Sequence, residues 1–320
     1  MTAFDVFNGD ADGVCALHQL RLAEPRDAVL VTGIKRDIEL LKRVQAGSGD
    51  QVTVLDISLD RNRDALLKLL ERGARVHYFD HHAAHHIPER AALYAVIDQS
   101  PGVCTSMLVD RHLGGRYRPW AVVAAFGDNL AGPALSLGQA LGYAPAQLEQ
   151  LRELGESLNY NAYGESESDL LIAPADLYRL MHRYADPFTF AICEPIVAQL
   201  GREQRSDLDA ALALQPLRQS GTCSVYLLPD EAWSRRVSGA FANHLASVHA
   251  QVACAVLTPN RMRGYAVSLR VPESSSITAA DFCVRYGGGG RVLAAGIDHL
   301  EATHLDAFLN AFGQTYGAAP

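Results

Sequence analysis

Blocks of apolar and polar residues along the first 133 positions predict strands alternating with helices. Short apolar runs predict buried strands at 3–7, 28–32, 51–55, 76–79 and 93–97. Apolar residues at helical spacing predict helices between them at 14–22, 36–46, 61–71 and 107–113. A further apolar run, 120–126, is expected to be buried and to end, like the strands, in a carboxylate. This alternation predicts an α/β fold with a doubly wound parallel sheet.

The pattern changes after residue 133. Segments rich in Leu, Ala and Gln, including 147–158 and 196–214, predict a helical connector over 134–218. Within it, the amide-rich and aromatic break 159–164 either lines a cleft or is a plain loop. Strands and helices return over 219–320, which predicts a second, smaller α/β domain.

Composition and charge narrow the class of protein. With 320 residues, 48% hydrophobic and 20% charged, the chain is expected to be a globular protein of about two domains. A net charge of -8 argues against a partner such as long duplex nucleic acid, but leaves room for a small anionic substrate. No signal-peptide pattern or long apolar run is present, so we expect a cytoplasmic protein without a membrane partner. Six cysteines without a C-x-x-C pair indicate reduced thiols. The sequence neither predicts nor excludes a homodimer.

Acidic residues and two histidines stand at four separate predicted strand ends, among them the end of the run 120–126. Each acidic residue taken alone is also explained as a turn residue or helix cap. In open α/β sheets, however, ligands bind beyond the carboxyl ends of the strands, so these side chains are expected to share one crevice. Several carboxylates with an imidazole suit a pair of divalent ions, manganese in particular. The set comprises Asp10, Asp12, Asp56, Asp80, His81, His82 and Asp128.

A run of four glycines, 287–290, precedes Arg291. Ordering four glycines costs backbone entropy, which favours a structured role such as the close approach of a ligand to the backbone. A flexible surface loop is the alternative.

Together these residues resemble the DHH phosphoesterase superfamily, which takes its name from the triplet that stands here as Asp80-His81-His82. Asp10-Ala11-Asp12-Gly13 looks like the first motif of that superfamily, Asp56 the second and Asp128 the fourth. The segment 285–296, R-Y-G-G-G-G-R-V-L-A-A-G, looks like the glycine motif of its associated C-terminal domain. Members include inorganic pyrophosphatases, exopolyphosphatases, single-strand exonucleases, oligoribonucleases and cyclic-dinucleotide phosphodiesterases.

The resemblance implies a set of metal ligands. Asp10 and Asp56 would hold one ion, while Asp12, Asp56, His81 and Asp128 would hold the other, so that Asp56 bridges. The ions are expected to be Mn²⁺, with Mg²⁺ and Co²⁺ as alternatives. A water between two such ions would lose a proton near neutral pH and attack phosphorus in line.

The resemblance also assigns roles outside the ligand set. His82 would lie near the substrate phosphate or the leaving oxygen, and Asp80 would orient the histidines as a carboxylate behind a metal-binding imidazole. His85 and His86 are interpreted as loop residues, since the aspartates already supply a full ligand set. Substrate binding is assigned to Arg270, Gly288, Gly289, Gly290 and Arg291.

Three positions qualify the resemblance. Many members carry a ligand His four residues before the first motif aspartate, where this chain has Val6; the first ion would then be weak, transient or helped by Asn8. Arg291 stands where oligonucleotide-cleaving members usually have His, which keeps anion recognition but removes a neutral imidazole. Arg270 matches a substrate-binding position of those members, or is a surface arginine at a strand end.

The sequence therefore predicts an enzyme: a Mn-dependent phosphohydrolase that cleaves phosphodiester bonds of short oligonucleotides or small cyclic or linear dinucleotides. A metal-binding catalytic domain is expected at 1–133, the helical connector at 134–218 and a glycine-rich substrate-binding domain at 219–320. The alternatives are an inorganic pyrophosphatase or exopolyphosphatase, and an inactive nucleotide-binding sensor suggested by Val6.

Overall fold

A computed structural model describes residues 1–317 and divides the chain into two compact units, Met1–Arg202 and the residues from Glu203 onward. In the first unit the elements are β1 Ala3–Phe7, α1 Ala11–Ala23, β2 Val29–Val31, β3 Gln51–Leu55, α2 Leu59–Glu71, β4 Arg75–Asp80, β5 Leu93–Ile97, α3 Thr105–His112, α4 Arg118–Gly127, α5 Ala131–Ala140, α6 Pro145–Asn161, α7 Pro174–Met181, α8 Pro187–Cys193 and the start of α9 Pro195–Leu212. In the second unit they are β6 Arg218–Ser220, β7 Cys223–Leu227, α10 Ala232–Val248, β8 Ala253–Pro259, β9 Gly264–Arg270, α11 Ala279–Val284, β10 Gly289–Gly290, β11 Ala294–Glu301 and α12 Leu305–Tyr316. The helical segments of the predicted connector belong to the first unit as far as Arg202.

Within the described residues, five parallel strands of the first unit form one sheet in the order β2-β1-β3-β4-β5. This is a doubly wound order, as the alternating pattern predicts, with its switch point between β1 and β3. Side chains alternate between the two faces of each strand, so Phe7 packs with α1, α3 and α4 while the preceding Val6 packs with α2. The crevice of such a sheet opens where β1 and β3 end.

Two predicted elements of this unit are wrong. Residues 36–46 form only a short 3₁₀ turn, Leu40–Arg43, although Leu40, Leu41 and Val44 are buried as an apolar helix face would be. The run 120–126 lies in helix α4, so Asp128 follows a helix and not a strand. Helix α4 packs against α1, α3, α5 and α6 and is apolar on all sides, and such a run has no periodicity that separates a helix from a strand.

The second unit is a smaller α/β fold, as predicted. Its sheet has the order β10-β11-β9-β8-β7-β6 in the described residues; β7 and β8 pair in parallel, and the other neighbours pair antiparallel. Helices α11 and α12 cover one face, and α10 covers the other. No helix in residues 1–317 has the length and apolar character needed to cross a bilayer.

A buried ion pair ties α1 to the strands that flank the crevice. Arg21 of α1 donates from Nε to Asp5 Oδ2 of β1 at 2.7 Å and from Nη2 to Thr53 Oγ1 of β3 at 2.9 Å. Asp5 and Arg21 are each 1% exposed. Because Arg21 lies in the last turn of α1, this pair holds that end of the helix against β1 and β3.

We expect Asp5→Ala to lower the free energy of unfolding by about 3–5 kcal/mol, because it leaves the Arg21 charge buried without a partner. Urea unfolding would measure the loss. The double variant Asp5→Leu/Arg21→Met, which removes both charges, should recover much of it. As a control, Asp176→Ala breaks the exposed pair with Arg179 and should change the free energy of unfolding little. If Asp5→Ala lowered the free energy of unfolding no more than this control does, the prediction would be contradicted.

Candidate metal centre

The turn after β1 places Asp10 at the start of α1. Its Oδ1 accepts hydrogen bonds from the backbone N–H groups of Asp12 and Gly13, each at 3.1 Å, and thereby caps the helix. Its Oδ2 accepts a hydrogen bond from Lys35 Nζ at 2.6 Å. Both oxygens of Asp10 are therefore already engaged by the protein.

Asp12 lies in the first turn of α1 and faces the start of α3. Its Oδ2 accepts from the backbone N–H of Thr105, and its Oδ1 from that of Ser106, each at 2.7 Å. These are donors that a helix leaves unpaired at its first turn, and the positive end of the helix favours the carboxylate. The N-terminus of α3 thus binds Asp12.

Asp56 follows β3 with a left-handed backbone, φ 59°, which is uncommon for a residue other than glycine. Its side chain is buried, and Oδ1 accepts a hydrogen bond from Thr105 Oγ1 at 3.1 Å. Backbone strain of this kind concentrates at functional sites, where the surrounding structure holds it in place.

His81, directly after β4, is where three of the carboxylates converge. Its Nε2 lies 3.4 Å from Asp56 Oδ1, 3.8 Å from Asp128 Oδ2 and 4.0 Å from Asp12 Oδ2. Asp128 reaches this position from the C-terminal end of α4. Four of the five predicted ligands thus lie close together at one edge of the sheet, Asp56 and His81 directly after strands, and Asp12 and Asp128 at helix ends.

His82 and Asp80 form a pair beside His81. Asp80 Oδ1 lies 2.6 Å from His82 Nδ1 and accepts from the His82 backbone N–H at 3.2 Å, while its buried Oδ2 has no hydrogen-bond partner in the described structure. The His82 ring packs against that of His81, with centroids 4.7 Å apart. Burial alone would lower the pKa of His82, but the hydrogen bond and charge of Asp80 outweigh it and raise the pKa.

Lys35 also belongs to the site, although no sequence pattern points to it. It lies in the loop between β2 and β3, donates from Nζ to Asn159 Oδ1 at 3.1 Å as well as to Asp10, and stands 3.9 Å from Asp128 Oδ1. The ring of Tyr163 has its centroid 5.5 Å from the ammonium. The amide-rich break at 159–164 therefore lines the site, but no spacing in the sequence connects it to Lys35.

The charges divide the site into two halves, one with Asp10 and Lys35 and one around His81 with Asp56 and Asp128. Burial alone would raise the pKa of Asp10 and lower that of Lys35, but their mutual attraction prevails, so that the pKa of Asp10 is lowered and that of Lys35 is raised well above its usual range. Burial, followed by the charges of Asp12 and Asp10, raises the pKa of Asp56 well above its usual range. Burial and Asp12 raise the pKa of Asp128 to about 6, although Lys35 opposes the shift. Asp56 and Asp128 thus keep a repulsion that a divalent cation would relieve.

The ligand atoms available for such a cation fall into two overlapping groups. In the described chain, donor atoms within 4.8 Å of one another come from Asp12, His81 and Asp128, and from Asp56, His81 and His82. Asp10 belongs to neither group. Carboxylate oxygens with one or two imidazole nitrogens form a donor set that fits Mn²⁺ and related ions.

His85 lies outside these groups. Its side chain is 91% exposed, and its Nδ1 lies 2.6 Å from Asp60 Oδ2. His86 is exposed as well.

The predicted substrate residues lie in the second unit. Arg291 is exposed and follows β10, and its backbone N–H donates to Ala294 O at 2.8 Å. Arg270 ends β9, pairs in register with Ala294 and donates from Nε to Asn243 Oδ1 at 2.8 Å. The two arginines therefore belong to the same end of this sheet.

The glycines before Arg291 differ in the space around the position of a Cβ atom. A Cβ at Gly288 would meet Gly296 O at 2.2 Å, and one at Gly290, where φ is 149°, would meet Ala295 Cα at 2.5 Å. Pairing of β10 with β11 therefore explains these two glycines. Gly289 has open space where a Cβ would stand, which leaves its backbone accessible to a ligand.

Solved structures share the fold of this chain, whereas no protein-family model and no curated protein sequence matches it. The exonuclease RecJ bound to manganese superposes with a TM-score of 0.66 at 18% identity, over all of this chain and 91% of RecJ. RecJ from Thermus thermophilus in complex with Mn²⁺ gives 0.65 at 17% identity, over 98% of this chain and 51% of that one.

A pGpG-specific phosphodiesterase, PggH from Vibrio cholerae, gives a TM-score of 0.56 at 14% identity, over 97% of both chains. RecJ and PggH are both members of the DHH superfamily. The fold that the resemblance implies is therefore confirmed across nearly the whole chain.

Proposed function

We propose that this chain is a manganese-dependent phosphodiesterase that hydrolyses short oligonucleotides or small cyclic or linear dinucleotides. One observation carries the proposal: Asp12, Asp56 and Asp128 all lie within 4.0 Å of His81 Nε2, at the carboxyl edge of a doubly wound sheet. Buried carboxylates this close to one another repel, so the arrangement favours a bound cation.

Asp12, Asp56, His81 and Asp128 would hold the ion. A divalent ion at such a site lowers the pKa of water and withdraws charge from a phosphoryl oxygen. The resemblance also implies a second ion between Asp10 and Asp56; that ion stays a prediction, and the proposed chemistry requires only the first.

We assign to His82 the role of protonating the leaving oxygen. Its Nδ1 is bound to Asp80, which fixes the ring and favours the protonated form, so Nε2 can give up a proton as the phosphorus–oxygen bond breaks. With 42% of its side chain exposed, His82 is accessible to a substrate. Asp80 acts through His82 and is a positioning residue.

Nucleotide substrates are supported by two further facts. RecJ is an exonuclease and PggH is specific for pGpG, and both share the fold. Arg270 and Arg291 offer guanidinium groups at one end of the second sheet, which suits a phosphate or base beyond the bond that is cleaved. The net charge of -8 favours short substrates over long strands.

The alternatives rest on specific residues. Arg270 and Arg291 would also suit a pyrophosphatase or exopolyphosphatase, in which they would bind the terminal phosphates. The buried Val6, at a position where the resemblance implies a ligand, favours an inactive nucleotide-binding sensor.

Parallel assays separate these functions. Purified protein with Mn²⁺ would be offered pGpG, a four-residue oligonucleotide, pyrophosphate, tripolyphosphate and a chromogenic phosphodiester. Turnover of the nucleotides supports the proposal, turnover confined to the inorganic phosphates supports the pyrophosphatase, and nucleotide binding without any turnover supports the sensor.

We expect Asp56→Ala to abolish turnover while the protein stays folded, because Asp56 is a ligand of the proposed ion, 3.4 Å from His81 Nε2, and its side chain lies at a crevice and not in the apolar core. Initial rates and circular dichroism would measure the two effects. His85→Ala changes an exposed residue of the neighbouring loop and should retain the wild-type rate. Near-normal turnover by folded Asp56→Ala would refute the proposed centre.

Replacing Arg291 with Ala should raise KM for a dinucleotide about tenfold or more with little change in kcat, because a lost phosphate contact away from the reacting bond weakens binding of the ground state and the transition state equally. Steady-state kinetics at saturating Mn²⁺ would show it. Arg263→Ala, at the exposed turn before β9, is a matched loss of charge and should leave KM unchanged. A large fall in kcat at constant KM would place Arg291 at the transition state.

A further inference from the structure

Asp10 differs from Asp12 in having an ammonium partner: each carboxylate accepts from two backbone N–H groups, but Asp10 also accepts from Lys35. Oδ1 caps α1 by accepting from two backbone N–H groups, and Oδ2 accepts from Lys35 Nζ at 2.6 Å. An ion bound to Asp10 would have to share the carboxylate with an ammonium group. Asp10 also stands outside both groups of clustered ligand atoms in the described chain.

The other residues that might complete a site at Asp10 are committed elsewhere. Val6 is fully buried among apolar side chains that include Val54 and Leu41. Asn8, the substitute ligand suggested by the sequence, accepts from the Asp10 backbone N–H through its Oδ1 at 3.2 Å and donates from Nδ2 to Lys35 O at 3.4 Å. Val6 has no ligand atom, and Asn8 is already hydrogen-bonded within the chain through both its Oδ1 and its Nδ2.

Lys35, in contrast, is held firmly in position. Its backbone N–H donates to Ala162 O at 2.9 Å, and its ammonium is bound by Asn159 Oδ1 at 3.1 Å in addition to Asp10. The loop that carries it packs so closely on the turn after β1 that a Cβ at Gly9 would meet Gly33 O at 2.0 Å. The ammonium is thus fixed by contacts that do not depend on a metal.

We propose that the ammonium of Lys35 takes the place of the second divalent ion, so that the centre works with one ion, held by Asp12, Asp56, His81 and Asp128, and one resident lysine. This proposal rests on the proposed function, because it requires that the first ion is bound. One divalent ion and one ammonium leave the four carboxylates with a single net negative charge. Asp10 therefore serves to cap α1 and to hold Lys35.

Metal stoichiometry tests the proposal without reference to turnover. Equilibrium dialysis against Mn²⁺ followed by elemental analysis counts the ions per chain, and electron paramagnetic resonance distinguishes an isolated Mn²⁺ from a spin-coupled pair. We expect one ion per wild-type chain with the signal of isolated Mn²⁺. Asp10→Asn, which keeps a helix cap, should also bind one ion.

Lys35→Met removes the charge at similar length and should bind a second, weaker Mn²⁺ at millimolar concentration, with a spin-coupled signal. Lys35→Arg keeps a cation beside Asp10 and should bind one ion. In the double variant Lys35→Met/Asp10→Asn, the second ion should be lost again. Circular dichroism confirms that each variant is folded.

The contrary results are distinct. Two ions in the wild type, with loss of one in Asp10→Asn, overturn the inference and leave the proposed function standing. A folded Lys35→Met protein that still binds a single ion at millimolar Mn²⁺ also overturns it, because Lys35 is then not what prevents a second ion from binding. A wild type that binds no Mn²⁺ overturns both the inference and the proposed function. Should Lys35→Met not fold, the comparison of wild type with Asp10→Asn decides.

Discussion

Electrostatic repulsion among three buried carboxylates and a fourth that is partly buried is the constraint on which the rest of the first unit depends. Asp10, Asp12 and Asp56 are almost fully buried, and Asp128 stands close to them. Carboxylates brought out of water must be hydrogen-bonded or paired, since an uncompensated charge costs several kcal/mol. The fold meets this need with the first turns of two helices: α1 donates backbone N–H groups to Asp10, and α3 donates them to Asp12. The doubly wound topology, which starts both helices at the same edge of the sheet, is thus a condition for placing these charges.

The protein compensates the charges of only some of these carboxylates, and the uncompensated ones indicate function. Asp10 has a helix N-terminus and a lysine, and the pKa of its carboxyl is lowered. Burial and the neighbouring acids raise the pKa of Asp56 and of Asp128 instead. Perturbed pKa values beside a crevice are typical of functional sites. The half of the site around His81 is therefore arranged for a cation that the chain itself does not supply, which is why the proposed ion belongs there.

Much of this arrangement could be predicted from the sequence, because the residues concerned follow strands directly. Asp10 and Asp56 come after short apolar runs whose strand character is plain, and parallel strands bring their carboxyl ends to one edge. Asp128 was assigned to the wrong element, since an apolar run buried on all sides carries no periodicity. Lys35 could not be found, because its place depends on the packing of one loop against the turn after β1 and on Asn159, more than a hundred residues away in the chain. Packing between segments this far apart in the chain produces no pattern in the local sequence.

The proposed role of Lys35 links it to Val6, since the chain lacks a ligand at position 6 and carries an ammonium beside Asp10. A histidine four residues before Asp10 would have to turn a polar ring toward an ion, whereas Val6 contributes about 2 kcal/mol by joining the core beneath the sheet. Loss of that ligand weakens the ion beside Asp10, and a lysine from a neighbouring loop can then replace its charge. An ion's charge depends on the supply of metal, while the lysine is part of the chain and remains charged at any physiological pH. Val6 without Lys35 would leave Asp10 short of a positive charge, and Lys35 with a histidine at position 6 would set an ammonium against an ion. The two residues are therefore expected to occur together.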